Sequence, residues 1–406
     1  MAAVAVPTGV LVAVDVYPSQ RAEDGLYTPL IARTRQTLGQ TGLLYCGDGK
    51  MAALATRAAL EAVGDYYLVP LPLGKEAEAT VTAWHTAGTD GTHPLLLVVR
   101  GTGDAAEVLG GGYERRRMQE AEQGGQRVVW EERLLVIRSR DLLARESGHL
   151  EDRVKNAEAA LTRFALPPKR GRRQYRDRAS LAAAITQKLD ALQVTGLLDV
   201  ILAEETGGRQ SRWIVTEVTR NAVALAAARD TLGWRVLATN APPTRLSLAE
   251  GMITQRGGWQ IEQQFHQLHD HPLGITPLQV SRDDQWCGLV RLLTLGLRVL
   301  ALLAGLVRQG LERDGLEMAG LYPGQPTRLT DHPTAVRLLR AIAASEMTLI
   351  HGEVAGHHVQ FLTPVSPVLH TVLAYCQLQT TIDTRLAENP LARQASSQKG
   401  GDELRE

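Results

Sequence analysis

The chain has 406 residues, enough for two or three domain-sized units, and its 44 Lys and Arg are balanced by 44 Asp and Glu, so the formal net charge is zero. That balance excludes a uniformly basic DNA-coating protein and an acidic disordered one, and confines any nucleic-acid contact to a local patch. Aromatic residues make up only 4% of the chain, with three Phe, so the core must be aliphatic.

Residues 1–6 are apolar and residues 10–16 apolar and β-branched, with Pro7-Thr8-Gly9 between them, which predicts a hairpin. A polar loop follows over residues 17–25. Helical spacing over residues 28–38 puts Leu30, Ile31, Thr34 and Leu38 near one face, and Gly39 and Gly42 end the helix. Residues 43–46 predict a short buried strand that runs into Gly47-Asp48-Gly49-Lys50. Residues 51–63 predict a helix closed by Gly64, and residues 66–71 another strand. The order strand, strand, helix, strand, helix, strand is an α/β pattern.

The middle of the chain is less regular. Residues 95–99, 133–137, 212–219 and 234–239 predict strands, and residues 151–164, 180–192 and 221–232 predict helices. Ser247-Leu248-Ala249-Glu250 has the form of a capping box, so a helix is expected from there to about His269, loosened at Gly257-Gly258. Residues 284–310 predict a long apolar helix. Its most apolar part carries Arg291 and Arg298, which favours a buried or amphipathic helix over a membrane span. Residues 334–344 predict a further helix, and the polar tail after Ala392 reads as disordered. Cys46, Cys287 and Cys376 lie too far apart for a disulfide framework or a zinc knuckle. With no basic leader before residues 1–6, they point to a cytoplasmic protein.

Four groups of residues carry candidate chemistry. Asp48 directly follows a short apolar strand, where functional residues of open α/β sheets gather, although two flanking glycines equally suit a turn aspartate. The surrounding residues are not a phosphate loop, and Gly101-Thr102-Gly103 is followed by Ala106 where a dinucleotide fingerprint needs glycine. Glu262, His266 and His269 fall at i, i+4 and i+7, a stripe able to bind a divalent metal or to form a solvated polar face, beside an apolar face of Ile261, Phe265 and Leu268. His351, Glu353, His357 and His358 form a second cluster, which Gly352 and Gly356 assign to a polar loop. Finally, residues 169–178 (KRGRRQYRDR) hold six cations and one carboxylate, suited to phosphate neutralisation or to a solvated linker.

Several segments together resemble the catalytic domain of bacterial insertion-sequence DDE transposases. They are residues 15–27 (DVYPSQRAEDGLY), 43–53 (LLYCGDGKMAA), 259–268 (WQIEQQFHQL), 272–278 (PLGITPL) and the helix over 288–300, within a span of roughly residues 1–313. The resemblance implies an α/β, ribonuclease-H-like mixed sheet with a large α+β insertion and C-terminal helices. It divides the chain into catalytic pieces at 1–74 and 247–313, an insertion at 75–246, a helical extension at 314–391 and a disordered tail at 392–406. It also implies three catalytic carboxylates, of which Asp48 is the second and Glu262 the third, both of them metal ligands. The implied reaction is cleavage of transposon ends and strand transfer into target DNA, using two Mg²⁺ (or Mn²⁺) ions about 3.5–4 Å apart held by oxygen ligands. DNA is then the partner, bound by a homodimer, with no membrane involved. Lys169, Arg170, Arg172, Arg173, Arg176 and Arg178 contact phosphates, and His266 and His269 touch DNA near the site.

The chain also departs from that pattern. The family's first strand, with its aspartate, precedes the hairpin, whereas this chain opens on what matches the second strand. Asp15, Glu23 and Asp24 do not match the missing position. Gln255, Gly258 and His269 stand where the family has Tyr, Arg and Lys. Losing a central strand leaves two unpaired edges, at about 1–3 kcal/mol for each unpaired buried backbone group against ~5–15 kcal/mol of total stability. The expectation is a poorly stable chain, inactive in DNA cleavage; robust metal-dependent strand transfer by the purified chain would overturn it. Two other readings stand beside this one. One is a non-catalytic DNA-binding remnant or partner of a separately encoded N-terminal fragment. The other is a metal site of Glu262, His266 and His269 in an unrelated hydrolase.

Overall fold

The computed structural model describes residues 1–6, 8–17, 20, 24–72, 74, 76, 78–101, 103, 106–167, 174–206, 211–269, 280, 282–345, 349–354, 357–362 and 366–378. The protein is α/β and divides into two compact units: residues 1–40 with 259–406, and residues 41–258. The chain passes between them beside Gly39 and Gly42, both at positive φ (62° and 72°), and again at Gly257-Gly258. Glycine adopts such angles without steric cost.

The unit of residues 41–258 holds a six-stranded mixed sheet. Its strands are β3 (Leu44–Cys46), β4 (Tyr66–Pro70), β5 (Leu96–Arg100), β6 (Glu107–Gln123), β7 (Gln126–Ser139) and β10 (Trp234–Thr239), in the order β3-β4-β10-β7-β6-β5. Only β3 and β4 run parallel, joined by the crossover helix α2 (Leu54–Ala62); the other neighbours are antiparallel. One sheet face carries Leu68, Val98, Leu109, Leu135, Ile137 and Leu237 against Leu248 and Met252 of α7 (Leu248–Arg256). Helix α3 (Glu78–Thr89) packs beside it, with the buried Tyr113 hydroxyl donating to the Trp84 carbonyl at 2.5 Å. A second core joins α4 (Arg140–Leu161), α5 (Arg178–Ala191), the hairpin β8 (Leu198–Glu205) and β9 (Arg212–Arg220), and α6 (Ala222–Asp230) through Leu150, Val154, Leu161, Leu181, Ile185 and Val215.

Strands β6 and β8 are absent from the sequence expectations. β6 pairs with β7 from Gly110 opposite Ser139 to Gln123 opposite Gln126, and Gly124 and Gly125 turn the chain at φ 56° and 78°. Two successive positive φ angles match the twist of the flanking strands, which is why a Gly-Gly pair suits this turn. Cross-strand ion pairs Arg116–Glu131 (3.2 Å) and Arg127–Glu120 (2.6 Å) line the exposed hairpin.

The capping box forms as expected. The Ser247 hydroxyl accepts from the Glu250 amide at 3.2 Å, and Glu250 Oε2 accepts from the Ser247 amide at 2.8 Å. Ser247→Ala is expected to lower stability by about 1 kcal/mol, read as a shift in the urea midpoint with unchanged slope.

The other unit contains the hairpin β1 (Ala2–Ala5) and β2 (Val10–Val14), then α1 (Tyr27–Leu38), α8 (Trp259–His269), α9 (Asp283–Asp314), α10 (Ala335–Ala343) and α11 (Pro367–Tyr375). A third core of Leu300, Val307, Leu311, Leu321, Leu338 and Val372 ties α9 to α10 and α11. α9 is long and apolar enough, by length and composition, to cross a membrane. Within it Arg298 donates to the Leu11 and Val12 carbonyls of β2 at 2.7 and 2.9 Å. Leu292, Leu295, Val299, Leu302 and Leu306 recur at intervals of three and four residues along α9 and remain 40–65% exposed. Leu295→Lys with Leu302→Lys is therefore expected to raise solubility in a sulfate precipitation series while changing stability by less than about 0.5 kcal/mol.

His351, Glu353, His357 and His358 do not lie in a loop. They belong to β11 (Leu349–Val354) and β12 (His357–Leu362), an antiparallel hairpin with Glu353 opposite His358. The β-branched and aromatic neighbours Ile350, Val354, Val359 and Phe361 favour strands over a loop.

Candidate functional site

Asp48 sits on the turn after β3. The parallel pairing of Cys46 with Leu68 continues one step further, because the Gly47 amide donates to the Leu68 carbonyl at 3.2 Å. The carboxylate is exposed, and its Oδ1 accepts from the amides of Lys50 (2.9 Å) and Met51 (3.3 Å). Local geometry explains the glycine before it: Met51 is buried and folds back over Gly47, so a Cβ there would strike the Met51 side chain. Asp48 thus combines a strand's carboxyl end with the backbone contacts of an Asx turn.

Glu262 and His266 are exposed, one helical turn apart on α8; the His269 side chain lies outside the described part. The expected apolar face of α8 is joined by a glutamine. Ile261, Gln264, Phe265 and Leu268 line one small cavity with Leu11, Val14 and Leu297, with Gln264 buried and Phe265 45% exposed. The Gln264 Oε1 is buried without a hydrogen-bond partner among the described residues.

Asp48 and Glu262 belong to different compact units. Both supply carboxylate oxygen, the donor type that Mg²⁺ and Mn²⁺ take. Among the described residues no group of three or more His, Cys, Asp or Glu side chains gathers to hold a metal. Asp15 is buried and paired with Arg33 (3.1 Å), and also accepts from the Tyr17 hydroxyl (3.2 Å).

Of the basic segment, Lys169, Arg170, Arg172 and Arg173 lie outside the described residues. The remainder is anchored to β9. Tyr175 pairs with Trp213 through the backbone and packs edge-on against Phe164 at 5.6 Å. The Arg178 guanidinium lies 6.0 Å from the centre of the Trp213 ring. Asp177 caps α5 by accepting the Ser180 amide at 2.7 Å, and the Ser180 hydroxyl and amide hold its carboxyl below the usual range. Arg176 is exposed.

One charged constellation escaped the sequence reading. Glu132 of β7 is fully buried. One of its carboxylate oxygens accepts from buried Arg57 of α2 and from the Tyr67 hydroxyl (2.6 Å). The other accepts from Arg117 (2.7 Å) and Gln119 (3.1 Å) of β6. Trp130 Nε1 donates to the Tyr67 oxygen at 2.9 Å. Burial raises the Tyr67 hydroxyl's pKa, and the adjacent Glu132 charge raises it further. Every polar atom of the carboxylate is thus engaged, so the cluster cross-links α2, β4, β6 and β7. Arg117 standing opposite Glu132 in the β6–β7 register is the signal that identifies it. Comparison with protein-family models and with curated proteins finds no match for this chain.

Proposed function

We propose that the chain is a DNA transposase of the DDE class with a ribonuclease-H-like catalytic core, in which Asp48 and Glu262 bind divalent metal. Asp48 carries the reading: it is an exposed carboxylate at the carboxyl end of a strand in a parallel pair, within a segment that resembles the family. Glu262 supports it as an exposed carboxylate on a helix in the matching later segment. Mg²⁺ or Mn²⁺, when bound, supplies stabilisation of the attacking and leaving oxygens of a phosphodiester. The basic segment up to Arg178 supplies counter-charge for the DNA backbone.

Metal binding tests this directly. With Mn²⁺ followed by electron paramagnetic resonance on the full chain, Asp48→Asn and Glu262→Gln are each expected to weaken Mn²⁺ binding at least about tenfold, a loss seen even for groups that only orient a ligand. Mn²⁺ binding untouched by either substitution would overturn the reading. Stoichiometric zinc lost on His266→Ala would instead favour a Glu262, His266 and His269 metal site. The Asx-turn contacts of Asp48 favour one further reading, a non-catalytic DNA-binding protein. In that case duplex binding survives both carboxylate substitutions and falls with Arg176→Gln.

A further inference from the structure

We propose that a cavity between the start of α4, β10 and α7 binds a phosphate dianion. The cavity has a volume of about 200 Å³ and an apolar floor of Ile137, Leu142, Leu237 and Met252, all buried. Around that floor stand Arg145, Arg235 and Arg256, with Asp141 as the one lining carboxylate. Asp141 is already paired with Arg256. Arg145 and Arg235 have no ion-pair partner among the described residues. Three guanidiniums against one carboxylate leave two net positive charges.

Two further features complete the site. Ser139 precedes the 22-residue helix α4 without capping it through its side chain, and Ser139, Asp141 and Leu142 line the cavity, so the partial positive charge of the helix start lies beside it. The buried Oε1 of Gln255, also lining the cavity, has no hydrogen-bond donor among the described residues. A phosphate dianion matches this charge. It carries nearly two negative charges and offers oxygens to planar guanidinium forks. A monocarboxylate leaves a positive charge unanswered. The volume lies below the ~300–1,000 Å³ of pockets that enclose whole cofactors, so the cavity takes the phosphate and leaves the rest of its bearer outside. The bearer is either free phosphate (or a small phosphomonoester) or the terminal phosphate of a nucleic-acid strand. The inference does not depend on the transposase reading.

Titration calorimetry of the full chain with inorganic phosphate, against chloride at equal ionic strength, is expected to show one-to-one saturable binding. Arg145→Gln with Arg235→Gln is expected to weaken it at least about tenfold, because two charge-assisted contacts are lost. Arg163→Gln, a cation outside the cavity, should leave it unchanged. Both cavity arginines are exposed, and far-ultraviolet circular dichroism with thermal unfolding shows whether the double variant folds like the parent. The bearer is identified by comparing duplexes with 5′-phosphate and 5′-hydroxyl ends. Tighter binding of the phosphorylated end, lost in the double variant, assigns the site to strand ends. Equal binding of both duplexes, with inorganic phosphate still bound, assigns it to a small ligand. No saturable phosphate binding, or equal affinity in the folded double variant, overturns the proposal.

Discussion

Glu132→Ala is expected to destabilise the unit of residues 41–258 by about 3–5 kcal/mol, the cost of leaving a buried cation without its counter-charge. Arg57 cannot escape to solvent, because its Nε is held by the Ala52 carbonyl at 3.0 Å and its side chain is only 8% exposed. Tyr67 would lose its acceptor as well. Against a total of about 5–15 kcal/mol for a domain, that loss brings the unit close to unfolding at ambient temperature. Glu132→Gln keeps the shape and one acceptor oxygen and is expected to cost less. Urea unfolding followed by tryptophan fluorescence measures both; a change below about 1 kcal/mol for the alanine variant would show that the cluster does not hold the sheet. Acid provides an independent check. Burial pushes the Glu132 carboxyl up, but Arg57, the Tyr67 hydroxyl and Arg117 outweigh it and keep it below 4.5. A depressed carboxyl contributes stability that is complete above the unfolded value and lost as the pH falls through the folded one. The parent is therefore expected to lose stability below pH 4.5 more steeply than Glu132→Gln.

The second large effect is expected at Gly110, whose substitution by valine should cost about 3 kcal/mol or more, measured as loss of soluble folded protein or a fall in Tm. Gly110 lies in the interior of β6 at φ 154°, and a Cβ there would run into the Arg138 carbonyl on β7 and approach the Met252 methyl. The β5–β6 register shifts between Val98 and Val99, where Val98 stands opposite Gly110. Gly111→Ala is the control. Its Cβ would sit 3.2 Å from the Leu95 Cβ and 3.3 Å from the Leu96 carbonyl oxygen, far looser than the Gly110 clash, so a smaller loss is expected. Equal losses at the two positions would place the cause in strand propensity rather than backbone geometry.

The contrast between these glycines and their neighbours indicates what local pattern can carry. Helix α10 and strand β10 were legible because the apolar spacing that defines them lies within a dozen residues. β6 was not. Its Gly110-Gly111-Gly112 and Arg115-Arg116-Arg117 have poor strand propensity, and it persists because β7 supplies both the hydrogen bonds and the carboxylates. The Gly124-Gly125 turn was the available clue. Glu132 was unreadable for a related reason: a carboxylate beside Glu131 and Arg133 looks solvated until Arg57, 75 positions earlier, is placed against it. At the candidate site, the turn position of Asp48 followed from its two glycines. Whether a carboxylate so placed meets others depends on tertiary arrangement, which local spacing does not encode. On α8 the apolar spacing of Ile261, Phe265 and Leu268 gave the inner face but not the buried Gln264 beside it.

The division of the chain also dictates an order of assembly. Residues 41–258 are one uninterrupted stretch, whereas the other unit is written in two pieces on either side of it. During synthesis β1, β2 and α1 emerge first, yet α8 and α9, which pack against β1 and β2, arrive roughly two hundred residues later. Closing a loop of that length in an unfolded chain costs on the order of 5 kcal/mol of entropy. The inserted unit is therefore expected to complete its own core before the N-terminal hairpin, which packs on α1, meets α8 and α9.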